Sequence, residues 1–183
     1  VDQFWRAGAR EFGVFYQIDA YGRSGTDGVA RGLARRGTTF AAEATYARGA
    51  RFEDDMSLAA KTLRDGGVDV VLCTGVYQGC AAFIRSARDL GWNVPISNLS
   101  FVGSEALLDL LIEHGRKTGH DYTRAIINSQ VVPSYDDLTL PGVREYRTLM
   151  DKNNPGIPHS LRDPAYTPRS YSFVSLEGFM NAK

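Results

Sequence analysis

The sequence predicts an α/β fold: an open parallel five-stranded sheet flanked by helices, with two further helices at the C-terminal end. Three observations carry this prediction. Short runs rich in β-branched and aromatic residues alternate with stretches of helical periodicity. The run VDVVLCT over 68–74 is almost continuously apolar, as expected of a central parallel strand covered on both faces. A helical stretch separates each strand from the next, which is the connection a parallel pair needs.

Taken in order, a short helical stretch opens the chain and the first strand comes next, over 12–18 (FGVFYQI). A Gly-rich turn over 21–28 then leads to a helix in which Val29, Ala30, Leu33 and Ala34 share one face. Gly37 stops it, since glycine accepts the positive φ of the residue just past a helix end. Arg31, Arg35 and Arg36 are expected on its solvated side. The second strand is expected over 38–46, then a loop with Gly49 and a helix from Phe52. There Met56, Ala59, Ala60 and Leu63 fall at i, i+3, i+4 and i+7, a core-facing stripe. Gly66 and Gly67 close it.

After the third strand, a helix over 78–90 ends at Gly91. The fourth strand is expected over 94–101. Gly103 and Ser104 open a helix carrying Leu107, Leu108, Leu110 and Leu111, and the fifth strand spans 124–132. Beyond Pro133 the alternation ceases. A polar loop precedes a helix with Pro141 in its first turn, a favoured position for proline. A Pro- and Asn-rich loop is expected over 153–168, and a last helix from Arg169. The expected division is therefore 1–132 and 133–183. The chain starts at Val1 in one helical stretch and stops at Lys183 in another, so both ends read as cut from a larger protein.

Composition narrows the function classes. The 183 residues carry 21 basic and 21 acidic side chains, a formal net charge of zero, where a nucleic-acid binder usually has a basic excess. The same balance disfavours a polybasic membrane anchor, and no apolar run reaches the length of a membrane span. Cys73 and Cys80 are too few for a disulfide framework and are expected as small buried thiols.

In open parallel sheets, ligands bind beyond the carboxyl ends of the strands. Four junctions qualify: Asp19-Ala20-Tyr21-Gly22, Gly75-Val76-Tyr77, Gly103-Ser104-Glu105 and Pro133-Ser134-Tyr135-Asp136. The recurring tyrosines offer a ring for stacking and a hydroxyl for one directed hydrogen bond, which suits a small organic ligand. Enzyme signals are weak. Gly22, Gly25 and Gly28 lack the dinucleotide-binding spacing, no phosphate loop is present, and Ser24 in GRSGT misses the nucleophile-elbow pattern. His114, His120 and His159 lack metal-ligand spacing. No catalytic residue, metal or cofactor is assigned, and the expectation is a binding protein and not an enzyme. Asn98-Leu99-Ser100 matches a glycosylation sequon inside a strand, where it is not expected to be used. Plainer readings stay open on residues alone: Glu105 also suits a helix's first turn, and Tyr21 and Tyr77 also suit a rim.

At these junctions the sequence resembles the second lobe of type I periplasmic binding proteins, the leucine/isoleucine/valine-binding family that serves branched-chain amino acid ABC transporters. The resemblance rests on FYQIDAYGRSGTDGV, ATYARGARFEDDMSLAAKTL, VDVVLCTGVYQGCAAFIRSARDLGW and SNLSFVGSEALLDLL. It continues through SQVVPSYDD, LPGVREYR and SFVSLEGFMNAK, in order along nearly the whole chain. It implies a Rossmann-like lobe over 1–132, then a hinge crossing and helices belonging to the other lobe. It further implies that Tyr21 and Tyr77 pack against a ligand. Glu105, within Gly103-Ser104-Glu105, would receive an ammonium group. The function implied is an extracytoplasmic solute-binding component of an ABC transporter, taking a small polar organic ligand such as an amino acid, with a membrane permease as partner. The alternatives are a ligand-sensing domain of a receptor or regulator on the same fold and, further off, a flavodoxin-like or nucleotide-using enzyme. A homodimer is expected through the surface that the other lobe would cover.

Overall fold

The structure, a computed structural model, describes residues 1–153 and 171–182. It divides into two compact units, Val1–Ser129 and Gln130–Lys183. In the first unit the elements run α1 (Asp2–Arg6), β1 (Phe12–Gln17), α2 (Ala20–Ala34), β2 (Ala42–Tyr46), α3 (Ser57–Asp65), β3 (Val70–Thr74), α4 (Tyr77–Asp89), β4 (Ile96–Asn98), α5 (Ser104–Thr118) and β5 (Ile126–Asn128). A 3-10 turn, Ser100–Val102, lies between β4 and α5. The second unit holds α6 (Pro141–Asn153) and α7 (Phe173–Asn181). The loop expected over 153–168 and the helix start at Arg169 lie almost wholly outside the described residues.

All four strand pairs are parallel, in the order β2-β1-β3-β4-β5. Phe15 stands opposite Ala44 on one side and Cys73 on the other. Because side chains alternate between faces of a strand, β3 feeds two cores. Val70 and Leu72 join Phe12 and Leu33 on one face, with Trp5 and Val29 packed against them. Val71 and Cys73 join Phe15, Leu63, Phe83, Ile84, Leu107 and Leu111 on the other. Thus α1 and α2 cover one face, and α3, α4 and α5 cover the other. Every residue of β3 is buried, as its apolar run predicts.

The boundaries depart from expectation in several places. The Gly-rich stretch over 21–28 is not a turn: α2 begins at Ala20, capped by Asp19, whose Oδ1 accepts the Gly22 N–H at 2.9 Å. Glycine is needed there because the helix lies hard against the sheet. A Cβ on Gly22 would stand 2.0 Å from the Gln17 carbonyl oxygen, and one on Gly25 would stand 2.2 Å from Thr74 Cγ2. Close backbone approach outweighs glycine's poor helix propensity. The helix expected from Phe52 starts only at Ser57; Phe52 instead tucks its ring into the core between His114 and Arg85. The second, fourth and fifth strands are shorter than expected, and Ser100–Val102 turns away from β4. At the end of α2, Ala34 is exposed; Arg36, just past the helix, is not simply solvated: it pairs with Asp2 at 2.7 Å and lies over the Trp5 ring. Gly37, Gly67 and Gly91 do take positive φ where the helices stop. Cys73 and Cys80 are buried free thiols, and burial, then a hydrogen bond with Cys80, pushes the Cys73 thiol well up.

Candidate functional site

Strand order creates the site. From β1 the chain passes through α2 to β2 on one side, whereas from β3 it passes through α4 to β4 on the other. The two connections diverge, leaving a crevice beyond the carboxyl ends of β1 and β3, where such sheets bind ligands. Tyr21 comes after β1 and Tyr77 after β3, so they flank this crevice.

The first turn of α2 places Tyr21. Its ring lies 6.1 Å from that of Phe101, which the 3-10 turn holds 73% exposed. Its hydroxyl is buried with no hydrogen-bond partner among the described residues. Burial, and then the nearby Cys80 and Asp19, push its pKa up, so it remains a neutral donor. Tyr77 is partly exposed, and its hydroxyl accepts a hydrogen bond from Gln78 Nε2 at 3.3 Å. Gly103 has φ +78°, a left-handed conformation that a side chain would strain, and its Cβ position lies 3.8 Å from Tyr77 Cβ. This backbone starts α5, leaving Ser104 buried and Glu105 partly buried in the first turn. Tyr77 and Gly103-Ser104-Glu105 therefore stand together.

A cleft of about 460 Å³ opens beside Tyr21, lined by Gln17, Asp19, Tyr21, Arg48, Gly49, Val76 and Phe101. Arg48 and Gly49 come after β2, a junction that does not stand out in the sequence because its loop carries no aromatic. Gln17 reads in the sequence as one more strand residue, and Phe101 is expected inside β4. Asp19 is held by the Gly22 N–H and then by Gln17 Nε2, which keep its carboxyl below the usual range, with Arg48 adding a smaller pull. The apolar residues Ile18, Val76, Leu99 and Phe101 are exposed along the same carboxyl edge. Tyr135, at the fourth junction, belongs to the second unit, where its ring packs 4.9 Å from Phe173. The sequon is closed off: Asn98 is fully buried and donates from Nδ2 to Asn128 Oδ1 at 2.8 Å. Among the described residues no helix is long and apolar enough to cross a membrane.

The parallel sheet, its divergent crevice and the aromatic rim define a binding lobe in form, and the comparisons give the lineage. The family model described as periplasmic binding protein matches residues 1–167, and the chain belongs to this family. Among solved structures, a possible leucine/isoleucine/valine-binding protein from Rhodopirellula baltica SH 1 is 30% identical with a TM-score of 0.72, the match covering 98% of this chain and 44% of that one. A substrate-binding periplasmic protein from Ralstonia solanacearum is 23% identical with a TM-score of 0.74, covering 99% of this chain and 45% of that one. A branched chain amino acid ABC transporter from Thermus thermophilus with bound valine is 20% identical with a TM-score of 0.63, covering 87% and 38%. The last two share the fold. The chain spans less than half the length of each. No functionally curated protein matches it.

Proposed function

We propose that this chain carries one lobe, with a hinge crossing and helices of the other, of an extracytoplasmic solute-binding protein that delivers a small polar organic ligand, an amino acid, to the permease of an ABC transporter. The observation that supports the reading is that Tyr21 follows β1 and that Tyr77 follows β3, beside Gly103, at the edge where the chain connections diverge. Rings on both banks would pack the ligand body, and the Glu105 carboxylate would receive its ammonium group. Capture by two lobes closing on a ligand would shift an open–closed equilibrium that a membrane partner reads. The activity proposed is binding, with no turnover, and the location is periplasmic or extracellular.

The test is a titration of the 183-residue chain with amino acids, monitored by backbone amide shifts. One wall of a cleft should bind weakly, so shifts at Tyr21, Tyr77 and residues 103–105 are expected in the millimolar range. Tyr77→Ala and Glu105→Gln should each reduce them. Micromolar affinity would contradict the one-wall reading, and silence at these residues with every amino acid would remove the site. The exposed apolar edge of Ile18, Val76, Leu99 and Phe101 also leads us to expect self-association of the chain. Sedimentation velocity should show a dimer growing with concentration, and a clean monomer at high concentration would count against it.

A further inference from the structure

Resting on that reading, we propose that the cleft beside Tyr21 takes the ligand's side chain and selects an aromatic one, with Phe101 as the specificity-determining residue. The ligand class is then an amino acid whose side chain ends in a neutral aromatic ring.

The first observation is an aromatic side chain that the core does not use. The 3-10 turn before α5 is anchored by Val102, which is buried and whose N–H donates to the Leu99 carbonyl at 3.0 Å. Its neighbour Phe101 is left 73% exposed. The Phe101 and Tyr21 rings stand 6.1 Å apart with their planes at 52°, and both residues line the cleft together with Val76. Tilted rings do not cover each other face to face. A third ring entering the cleft makes offset or edge contacts with both, and such ring pairs gain more than the buried area alone provides.

The second observation is the polarity of the cleft. Arg48 and Asp19 line it with opposite charges, so no net charge favours an ionised side chain. Gln17, also in the lining, is 4% exposed, and its Oε1 has no partner among the described residues. Oε1 and the Asp19 carboxylate only accept hydrogen bonds. The rim of an aromatic ring carries partial positive charge and its faces partial negative charge. An aromatic side chain can therefore turn its edge toward these acceptors and its faces toward Phe101 and Tyr21. A saturated side chain of the same shape has no such edge and would only take water from the acceptors.

The third observation is position. Val76 directly precedes Tyr77, and Phe101 lies two residues before Gly103, whose Cβ position is 3.8 Å from Tyr77 Cβ. The wall made by Val76 and Phe101 thus runs into the corner of Tyr77 and Gly103, beside Glu105. A ligand with its ammonium group at Glu105 directs its side chain along this wall. The cleft, about 460 Å³, admits a benzyl or indolyl group.

Phenylalanine and cyclohexylalanine have nearly the same shape, and the saturated ring is the more apolar, so the pair isolates aromatic character from size. In amide-shift titrations of the 183-residue chain, phenylalanine should bind about fivefold more tightly, with shifts at Gln17, Gly49, Val76 and Phe101. Phe101→Leu keeps apolar bulk and removes the ring, and should bring the two ligands within about twofold. Phe101→Tyr should retain the preference. Phe101 is exposed, so neither change puts folding at stake. Equal or tighter binding of cyclohexylalanine by the unaltered chain, with shifts at Tyr77 and Glu105, would overturn this proposal and leave the amino-acid reading standing. A preference for phenylalanine that survives Phe101→Leu would overturn it as well. Silence of every amino acid, at the cleft and at the corner, would remove both readings together.

Discussion

Tyr46 fixes the spacing between the end of β2 and the start of α4. Its hydroxyl accepts the Val76 N–H at 2.9 Å, and its ring fills space that two glycines leave open. A Cβ on Gly75 would stand 2.2 Å from Tyr46 Oη, and one on Gly79 would stand 2.4 Å from Cε2. Tyr46→Phe should cost about 1 kcal/mol in chemical denaturation, the value of one lost hydrogen bond. Gly79→Ala should cost about 1–3 kcal/mol by overpacking, because the buried ring has nowhere to retreat. Asp19 sets an expected pH dependence. Its folded-state pKa lies below the ordinary 3.8, held there by Gly22 and Gln17. As the pH falls the unfolded chain takes up the proton first, so its stabilising contribution is complete above about pH 5 and is lost below about pH 4. Asp19→Asn should flatten that part of the acid-denaturation curve; an unchanged curve would show that the cap carries no pH-dependent stability.

Among elements, the seam between α4 and the last two strands depends on a charged side chain. Arg88 is 9% exposed and donates to the carbonyls of Trp92, Val94 and Arg124 at 2.7, 3.0 and 2.8 Å. It thereby ties the helix end to the approaches of β4 and β5. Arg88→Met keeps much of the apolar stem but strands three acceptors, and should destabilise by roughly 2–4 kcal/mol in urea unfolding. The order and type of the elements were legible because apolar periodicity and glycine stops are local signals: Gly37, Gly67 and Gly91 mark helix ends in both sequence and structure. The start of α2 was not legible, since nothing local says that Gly22 and Gly25 face Gln17 and Thr74 across a tight helix–sheet contact. At the candidate site the same division holds. Tyr21 and Tyr77 could be picked out because they come soon after strands, and Glu105, beyond the 3-10 turn that follows β4, through the family resemblance. Gln17 could not, because an unpaired Oε1 exists only once its neighbours are placed.

For the whole molecule, the two units keep separate cores. Val143, Tyr146 and Leu176 form one, and among the described residues none of it comes from before 130. Among the described residues, the two cores on the sheet contain none beyond Ile126. A chain ending at Ser129 should therefore fold alone and give one cooperative transition by circular dichroism. A broad, non-cooperative melt would show that the sheet depends on the second unit. The strand order has a consequence for how such a chain is made. β2 joins one edge of β1, β3 joins the other, and β4 and β5 each extend the edge built just before. No later strand must be threaded between two that have already paired. As the polypeptide leaves the ribosome, the sheet can grow in the order of synthesis, and each new strand finds its docking edge still open.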